Sequence, residues 1–150
     1  MSYNNVEARY AYIQPILARF KRPFTVLDLG AFEGAMTARI KVDFPNAITV
    51  AVEQDTPTGP ADAADIWLHH KVTAETLLCL SECEHFDVVL ALNFLHHLDD
   101  WMLGYLALLR LSGHVFIQTP RSDDLKAANQ ESVQEIAEIL SDGWPLGETV

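Results

Sequence analysis

The chain has 150 residues, 49% hydrophobic and 21% charged, a composition that suits one compact domain and excludes a disordered chain. Ten basic and twenty-one acidic residues leave a net charge of −11, which argues against binding to nucleic acid or an anionic membrane surface. The sequence has no apolar stretch of the roughly 20 residues that a membrane span requires, and its N-terminus lacks the layout of a signal peptide. We therefore expect a cytoplasmic protein.

Apolar runs of helix type and strand type alternate along the chain. Pro15 interrupts the first helical run, which predicts one kinked helix or two short ones. In chain order, the predicted elements are a helix at 6–20, a strand at 25–29, a helix at 34–42, a strand at 48–52, a loop at 56–60, a brief helix from Ala61, a strand at 66–70, a helix at 73–80, a strand at 86–92, a helix at 101–111, a strand at 114–119 and a helix at 127–140.

Nearly all-apolar strands that alternate with helices are typical of a parallel sheet covered on both faces. The predicted fold is therefore a doubly wound, mostly parallel α/β sandwich with helices on both faces. No linker divides the chain, so residues 1–150 are expected to form one domain, with an N-terminal helical segment (1–22), a core (23–143) and a short tail (144–150). In such sheets ligands bind beyond the carboxyl ends of the strands.

Two neighbouring strand ends carry residues suited to a nucleoside. The first strand runs into Gly30 and Gly34, where a missing side chain allows a tight turn and a close approach of a ligand to the backbone. The second strand ends in Glu53, whose carboxylate can accept hydrogen bonds from both hydroxyls of a ribose. Each feature alone has a structural explanation, as a turn or a strand end, but together they fit one nucleoside lying across two strands.

Three segments carry a resemblance to a known family: V-L-D-L-G-A-F-E-G-A-M-T, then V-A-V-E-Q-D, then F-D-V-V-L-A-L-N-F-L-H-H-L. In this order and spacing they resemble the class I S-adenosylmethionine-dependent methyltransferases, especially members that act on small molecules. The resemblance covers residues 26–119. It implies a Rossmann-like methyltransferase fold, S-adenosylmethionine as the cofactor, and a small-molecule methyl acceptor rather than nucleic acid.

The resemblance also implies roles for single residues. Gly30, Ala31, Phe32 and Gly34 would line the methionine part of the cofactor, with Asp28 steadying their loop. Glu53 would hold the ribose hydroxyls, beside Gln54 at the adenine. Thr73 and Ala74 stand where relatives often offer an aspartate to the adenine amino group, so Thr73 or a backbone group would have to make that contact. Leu92 and Asn93 would border the sulfonium and the methyl acceptor.

His96 and His97 form the titratable pair of greatest interest, since an imidazole of near-neutral pKa can remove a proton from a nucleophile. By the resemblance His97 is the better catalytic candidate. The alternative interpretation is that both histidines end the fourth strand and pack under the next helix. Adjacent histidines on a strand point to opposite sides, so His69 and His70 are not expected to join them in a metal site.

Other side chains have simpler interpretations. Cys79 and Cys83 lie one helical turn apart and are expected to be buried packing residues. Glu131, Glu135 and Glu138 are expected to form a solvated helix face.

The sequence departs from the family at two points. Phe32 stands where relatives usually carry a middle glycine, so its ring would pack across the cofactor or narrow the pocket. After residue 143 the chain is too short for the closing strands of relatives, so we expect a sheet curtailed at its C-terminal side. The fifth strand would then be an open edge, which favours a homodimer or a partner protein that covers it.

Two further functions remain open from the sequence. One is a noncatalytic binding module or partner subunit that keeps the fold. The other is an enzyme that uses S-adenosylmethionine for a different reaction, such as its cleavage.

Overall fold

A computed structural model describes residues 6–56, 58–120 and 130–141. Five helices, five strands and one short 3₁₀ helix follow one another in these ranges. In chain order they are α1 (Val6–Leu17), β1 (Phe24–Leu29), α2 (Ala35–Asp43), β2 (Ala47–Glu53), β3 (Ile66–His69), α3 (Ala74–Cys83), β4 (Val88–Leu92), the 3₁₀ helix (Leu95–His97), α4 (Trp101–Leu111), β5 (Val115–Gln118) and α5 (Gln130–Ser141).

The strands form one five-stranded sheet in the order β3-β2-β1-β4-β5, and every neighbouring pair is parallel. The register sets Leu29 of β1 beside Val52 of β2, and Asp28 of β1 beside Leu90 of β4. Because all five strands run the same way, their carboxyl ends meet at one edge of the sheet. The residues that follow β1, β2 and β4 are therefore neighbours in space.

Alternating side chains of the central strands supply two cores, one on each face of the sheet. On one face, Leu27 of β1 and Val89 of β4 pack with residues of α3, α4 and α5. On the other face, Val26 and Val88 pack with residues of α1 and α2. This arrangement confirms the predicted α/β fold with a parallel sheet covered on both faces. Among the described residues, no helix is both long and apolar enough to cross a bilayer.

The prediction of a brief helix from Ala61 is wrong, since residues 61–65 form turns that lead directly into β3. Side-chain hydrogen bonds fix this segment to β2 instead. The carboxylate of Asp65 accepts from the amide and the hydroxyl of Thr49 at 2.8 and 2.9 Å, and the amide of Asp65 donates to the Thr49 hydroxyl at 3.0 Å. Lys41 of α2 forms an ion pair with the same carboxylate.

Two smaller expectations also need correction. Cys79 and Cys83 are both exposed rather than buried, because α3 buries Ala74 and Leu77 and the cysteines lie on its other side. Glu135 is not merely a solvated side chain, since its carboxylate accepts a hydrogen bond of 3.0 Å from the indole of Trp101.

The structure settles the first helix as a single one, with Pro15 in its last turn. The predicted start of the last helix at 127–129 and the predicted curtailment of the sheet after residue 143 lie outside the described residues.

Candidate functional site

The turn between β1 and α2 has an unusual backbone, with three residues in the left-handed region. Gly30, Phe32 and Gly34 have φ angles of 68°, 53° and 72°. The turn, residues 30–34, is called the glycine turn below. Its start is fixed to the end of β2, since the amides of Gly30 and Ala31 both donate to the carbonyl of Val52, at 2.9 and 3.1 Å. The glycine turn thus lies at the junction of the two central strand ends.

The loop between β2 and β3 packs closely on the glycine turn. A Cβ atom on Gly34 would lie 2.6 Å from the ring of Trp67, so both the space and the positive φ require glycine there. A Cβ atom on Gly59 would lie 1.9 Å from the carbonyl oxygen of Glu33. Residues of the β2–β3 loop and of β3 therefore support the turn from one side.

Glu53 joins the end of β2 to the glycine turn through its side chain. One carboxylate oxygen, Oε2, accepts from the amide of Phe32 at 2.8 Å, and the other, Oε1, accepts from the amides of Gln54 at 2.8 Å and Asp55 at 3.3 Å. The carboxylate is therefore held in a fixed orientation at the edge where the strand ends meet. A carboxylate has about four acceptor positions, so three amides leave room for one more donor.

Asp28, the residue before the last of β1, is buried, with 3% of its surface exposed. Burial raises the pKa of its carboxyl group to about 7; the charge of Glu53 raises it further, and the charge of Arg9 in α1 acts in the opposite direction. Asp28 is thus screened from solvent, two residues before the glycine turn.

Of the residues that the resemblance implies at the adenine, Gln54 is exposed next to Glu53, whereas Thr73 and Ala74 belong to the start of α3. Gln54 is exposed directly beyond Glu53, and its carbonyl oxygen lies 2.6 Å from Nε2 of His69. The hydroxyl of Thr73 accepts from the amide of Thr76 at 3.1 Å as the N-terminal cap of α3, and Ala74 is buried. The Thr73 hydroxyl is therefore engaged in its own helix.

The end of β4 brings polar groups to the other side of the glycine turn. Leu92 is half-buried, and Asn93 follows it with a positive φ of 59°. The amide of Asn93 donates to the carbonyl of Gln118, at the end of β5, at 2.7 Å. The side-chain oxygens of Asn93 and Gln118 are both buried and have no hydrogen-bond partner within the described part of the chain. Buried oxygens of this kind are suited to accept hydrogen bonds from a ligand.

The two histidines lie on the 3₁₀ helix and differ in their exposure to solvent. His96 is buried, with 3% of its surface exposed, while His97 is exposed. Burial, together with the charge of His97, lowers the pKa of His96 to about 4, so His96 is neutral at physiological pH. The ring centroids are 4.0 Å apart. The packing interpretation therefore suits His96, whereas His97 is free to meet a molecule in solution.

Phe94 connects the two halves of the site, and its position was not predicted. It is buried between Asn93 and the 3₁₀ helix, and a Cβ atom on Gly30 would lie 3.3 Å from its ring. The structure thus brings together the glycine turn, Glu53 and Phe94, whereas Thr73 caps a separate helix. Gln118 was also missed, although the rule that ligands bind beyond strand ends applies equally to the end of β5.

Comparisons with known proteins find likeness in fold. No protein-family model matches the chain, and no curated protein matches it in sequence. A structure of WbdD with a kinase inhibitor matches with a TM-score of 0.56 at 15% identity over 88% of this chain; another WbdD structure is described as a bifunctional kinase-methyltransferase. YjhP from E. coli matches with a TM-score of 0.54 at 18% identity over 90% of this chain.

The plantazolicin methyltransferase BpumL, solved with a desmethyl plantazolicin analogue and S-adenosylhomocysteine, matches with a TM-score of 0.53 at 16% identity over 93% of this chain. This chain spans 32% of the WbdD chain, 56% of YjhP and 62% of BpumL. The chain therefore has the same parallel α/β fold as the solved methyltransferase structures of WbdD and BpumL.

Proposed function

We propose that this protein binds S-adenosylmethionine and transfers its methyl group to a small-molecule acceptor. The observation that carries the proposal is the position of the Glu53 carboxylate, fixed by three amides at the junction of β2 and the glycine turn. The likeness in fold to BpumL, whose structure contains S-adenosylhomocysteine, supports the same ligand class here.

The residues present fit an adenosyl ligand. The carboxylate of Glu53 retains an acceptor position for a ribose hydroxyl, and the positive φ angles of Gly30 and Gly34 allow the tight turn whose Phe32 amide orients that carboxylate. Gln54 lies next to Glu53, on the side where an adenine ring would extend. Ala31 and Phe32 would border the same ligand, and Asp28 would steady the glycine turn.

When bound, S-adenosylmethionine supplies a methyl group that is already activated by a positively charged sulfur. The chain's own contribution is then mainly to hold the acceptor in line with that methyl group. Asn93 and Gln118 would orient the acceptor through their buried side-chain oxygens, beside Leu92. His97, exposed on the 3₁₀ helix, would take the proton that the acceptor's nucleophilic atom releases.

A small molecule fits this site better than nucleic acid. The net charge of −11 disfavours a polyanionic acceptor, because phosphate groups would be repelled. The acceptor itself is proposed only as a small molecule with a nucleophilic oxygen or nitrogen.

A noncatalytic binding module is the second candidate, and one observation favours it. The hydroxyl of Thr73 is engaged as a helix cap, so the contact to adenine considered for this residue would have to come from a backbone group. A protein of this kind would bind the adenosyl ligand without turnover.

Calorimetric titration with S-adenosylhomocysteine and S-adenosylmethionine tests the proposal. We expect both ligands to bind, and Glu53→Ala to weaken binding by roughly 10- to 100-fold, the scale of hydrogen bonds to a charged group. Glu82→Ala, which removes an exposed carboxylate from α3, should leave the affinity unchanged. No heat from either ligand at millimolar concentration would contradict the proposal, and binding without methyl transfer to any of a panel of amines and phenols would favour the noncatalytic module.

A further inference from the structure

Phe32 has a backbone conformation that is unfavourable for its side chain. Its φ angle of 53° lies in the left-handed region, which bulky residues rarely adopt. The other two residues of the turn with a positive φ, Gly30 and Gly34, are glycines. Asn93 also has a positive φ, and asparagine tolerates this conformation better than most residues. A phenylalanine at this position therefore has a cost that glycine or asparagine would avoid.

The ring of Phe32 contributes little to the stability of the fold, so it does not offset this cost. The residue is 69% exposed, among the most exposed of the large hydrophobic side chains in the described residues. It is absent from both hydrophobic cores. Because stability does not account for the residue, a role in binding is the physical alternative.

The backbone of Phe32 fixes where its ring begins. Its amide donates to Oε2 of Glu53 at 2.8 Å, so the ring extends into solvent from a point beside that carboxylate. Any ribose with a hydroxyl bound to Glu53 would lie next to an exposed aromatic ring. Sugars and bases have flat or apolar faces that pack well on such a ring.

We propose that Phe32 is a specificity-determining residue whose ring forms one wall of the nucleoside subsite. This inference rests on the proposed function and extends it, because it assigns the affinity for the adenosine part of the ligand to an aromatic contact as well as to Glu53. The ring selects ligands with a nucleoside next to the Glu53 carboxylate. This assignment replaces the role that the resemblance implies for Phe32, at the methionine part of the ligand.

Phe32→Asn is the sharpest test, because asparagine tolerates a positive φ, keeps the backbone amide that Glu53 binds and removes only the ring. We expect this substitution to weaken the binding of S-adenosylhomocysteine and of adenosine by the same factor, roughly 5- to 20-fold, in calorimetric titrations. Phe32→Trp should retain the wild-type affinity. Tyr12→Ala, which removes a similarly exposed aromatic ring (62%) from α1, is the matched control and should change neither affinity.

The melting temperature of the ligand-free protein gives a second readout. Relief of the backbone strain should raise it by roughly 2–6 °C in Phe32→Asn. Equal affinity of Phe32→Asn and wild type, a loss confined to S-adenosylhomocysteine, or a lower melting temperature of the variant would each overturn the inference while leaving the proposed function intact. Absence of S-adenosylhomocysteine binding by the wild type would overturn both.

Discussion

The carboxylate of Glu53 accepts a hydrogen bond of 2.8 Å from the backbone amide of Phe32, which joins the end of β2 to the turn after β1. The same carboxylate accepts from the amides of Gln54 and Asp55. One side chain therefore orients two loops at the edge where the strands end. It has a structural role even before any ligand is considered.

Glu53→Gln should destabilise the protein by about 1–3 kcal/mol, since one amide oxygen cannot replace two carboxylate oxygens and leaves a backbone amide poorly satisfied. Urea denaturation at neutral pH measures the change. Glu82→Gln on the exposed face of α3 is the control and should stay within about 0.5 kcal/mol of wild type. A Glu53→Gln protein as stable as the control would mean that these hydrogen bonds contribute nothing to the turn.

His97 should matter for turnover rather than for cofactor affinity, because it is exposed after β4, and β1 separates that strand from β2, which ends in Glu53. Once an acceptor is identified, His97→Ala should lower kcat by about 10²–10⁴-fold, the contribution of a general base. The affinity for S-adenosylhomocysteine, measured by calorimetry, should change little. His85→Ala removes an exposed histidine between α3 and β4 and serves as the control. Near-full activity of His97→Ala with a lowered melting temperature would favour a packing role.

Two buried groups should give the stability opposite dependences on pH. The pKa of Asp28 is raised to about 7 by burial, so the folded protein retains a proton that the unfolded chain releases above about pH 4. Its contribution to stability is therefore complete below pH 4 and is lost as the pH rises to about 7. The pKa of His96 is lowered to about 4 by burial, so its contribution is present above about pH 6.5 and is lost as the pH falls toward 4.

Substitution separates the two contributions. In Asp28→Asn the free energy of unfolding should rise steadily from pH 4 to 6.5, because the contribution of His96 remains and that of Asp28 is removed. In His96→Leu the free energy of unfolding should fall between pH 4 and 7, because the contribution of Asp28 remains and that of His96 is removed. The slope follows the difference in bound protons between the unfolded and folded states. Urea denaturation at half-unit pH steps measures it, and parallel curves for wild type and both variants would refute the assignment.

The edge of the sheet at β5 gives a prediction about assembly. Among the described residues, Val115–Gln118 is the outermost strand on its side of the sheet, and an open strand edge favours pairing with another chain. We expect a homodimer or a complex with a partner protein. Sedimentation equilibrium at tens of micromolar decides the first case: a single species of 16.8 kDa would exclude the homodimer. A pull-down from the source cell would then test for a partner.

The strands and the order of the chemical motifs could be predicted from sequence because both depend on local patterns. The apolar run that contains β4 and the glycines after β1 are visible without any tertiary information. The residues from Ala61 to Asp65 could not be assigned correctly, because their conformation depends on three hydrogen bonds between Asp65 and Thr49 of β2.

Burial on helices was predictable only in part. Cys79 and Cys83 share a face of α3, and the sequence does not say which face meets the sheet. Leu77 is buried, and Cys79 lies about 200° around the helix from it, so the cysteines face solvent. The different environments of His96 and His97 likewise arise from a 3₁₀ helix that no periodicity indicates.

The most direct test of the central claim is to locate the ligand on the protein by NMR. Titration of the ¹⁵N-labelled chain with S-adenosylhomocysteine should shift the amide resonances of Gly30 to Gly34, Gln54 and Asp55, since these groups surround the Glu53 carboxylate. Amides of α3 beyond Leu77 should be unaffected. Shifts confined to other parts of the chain, or none at saturating ligand, would contradict a nucleoside site at the ends of β1 and β2.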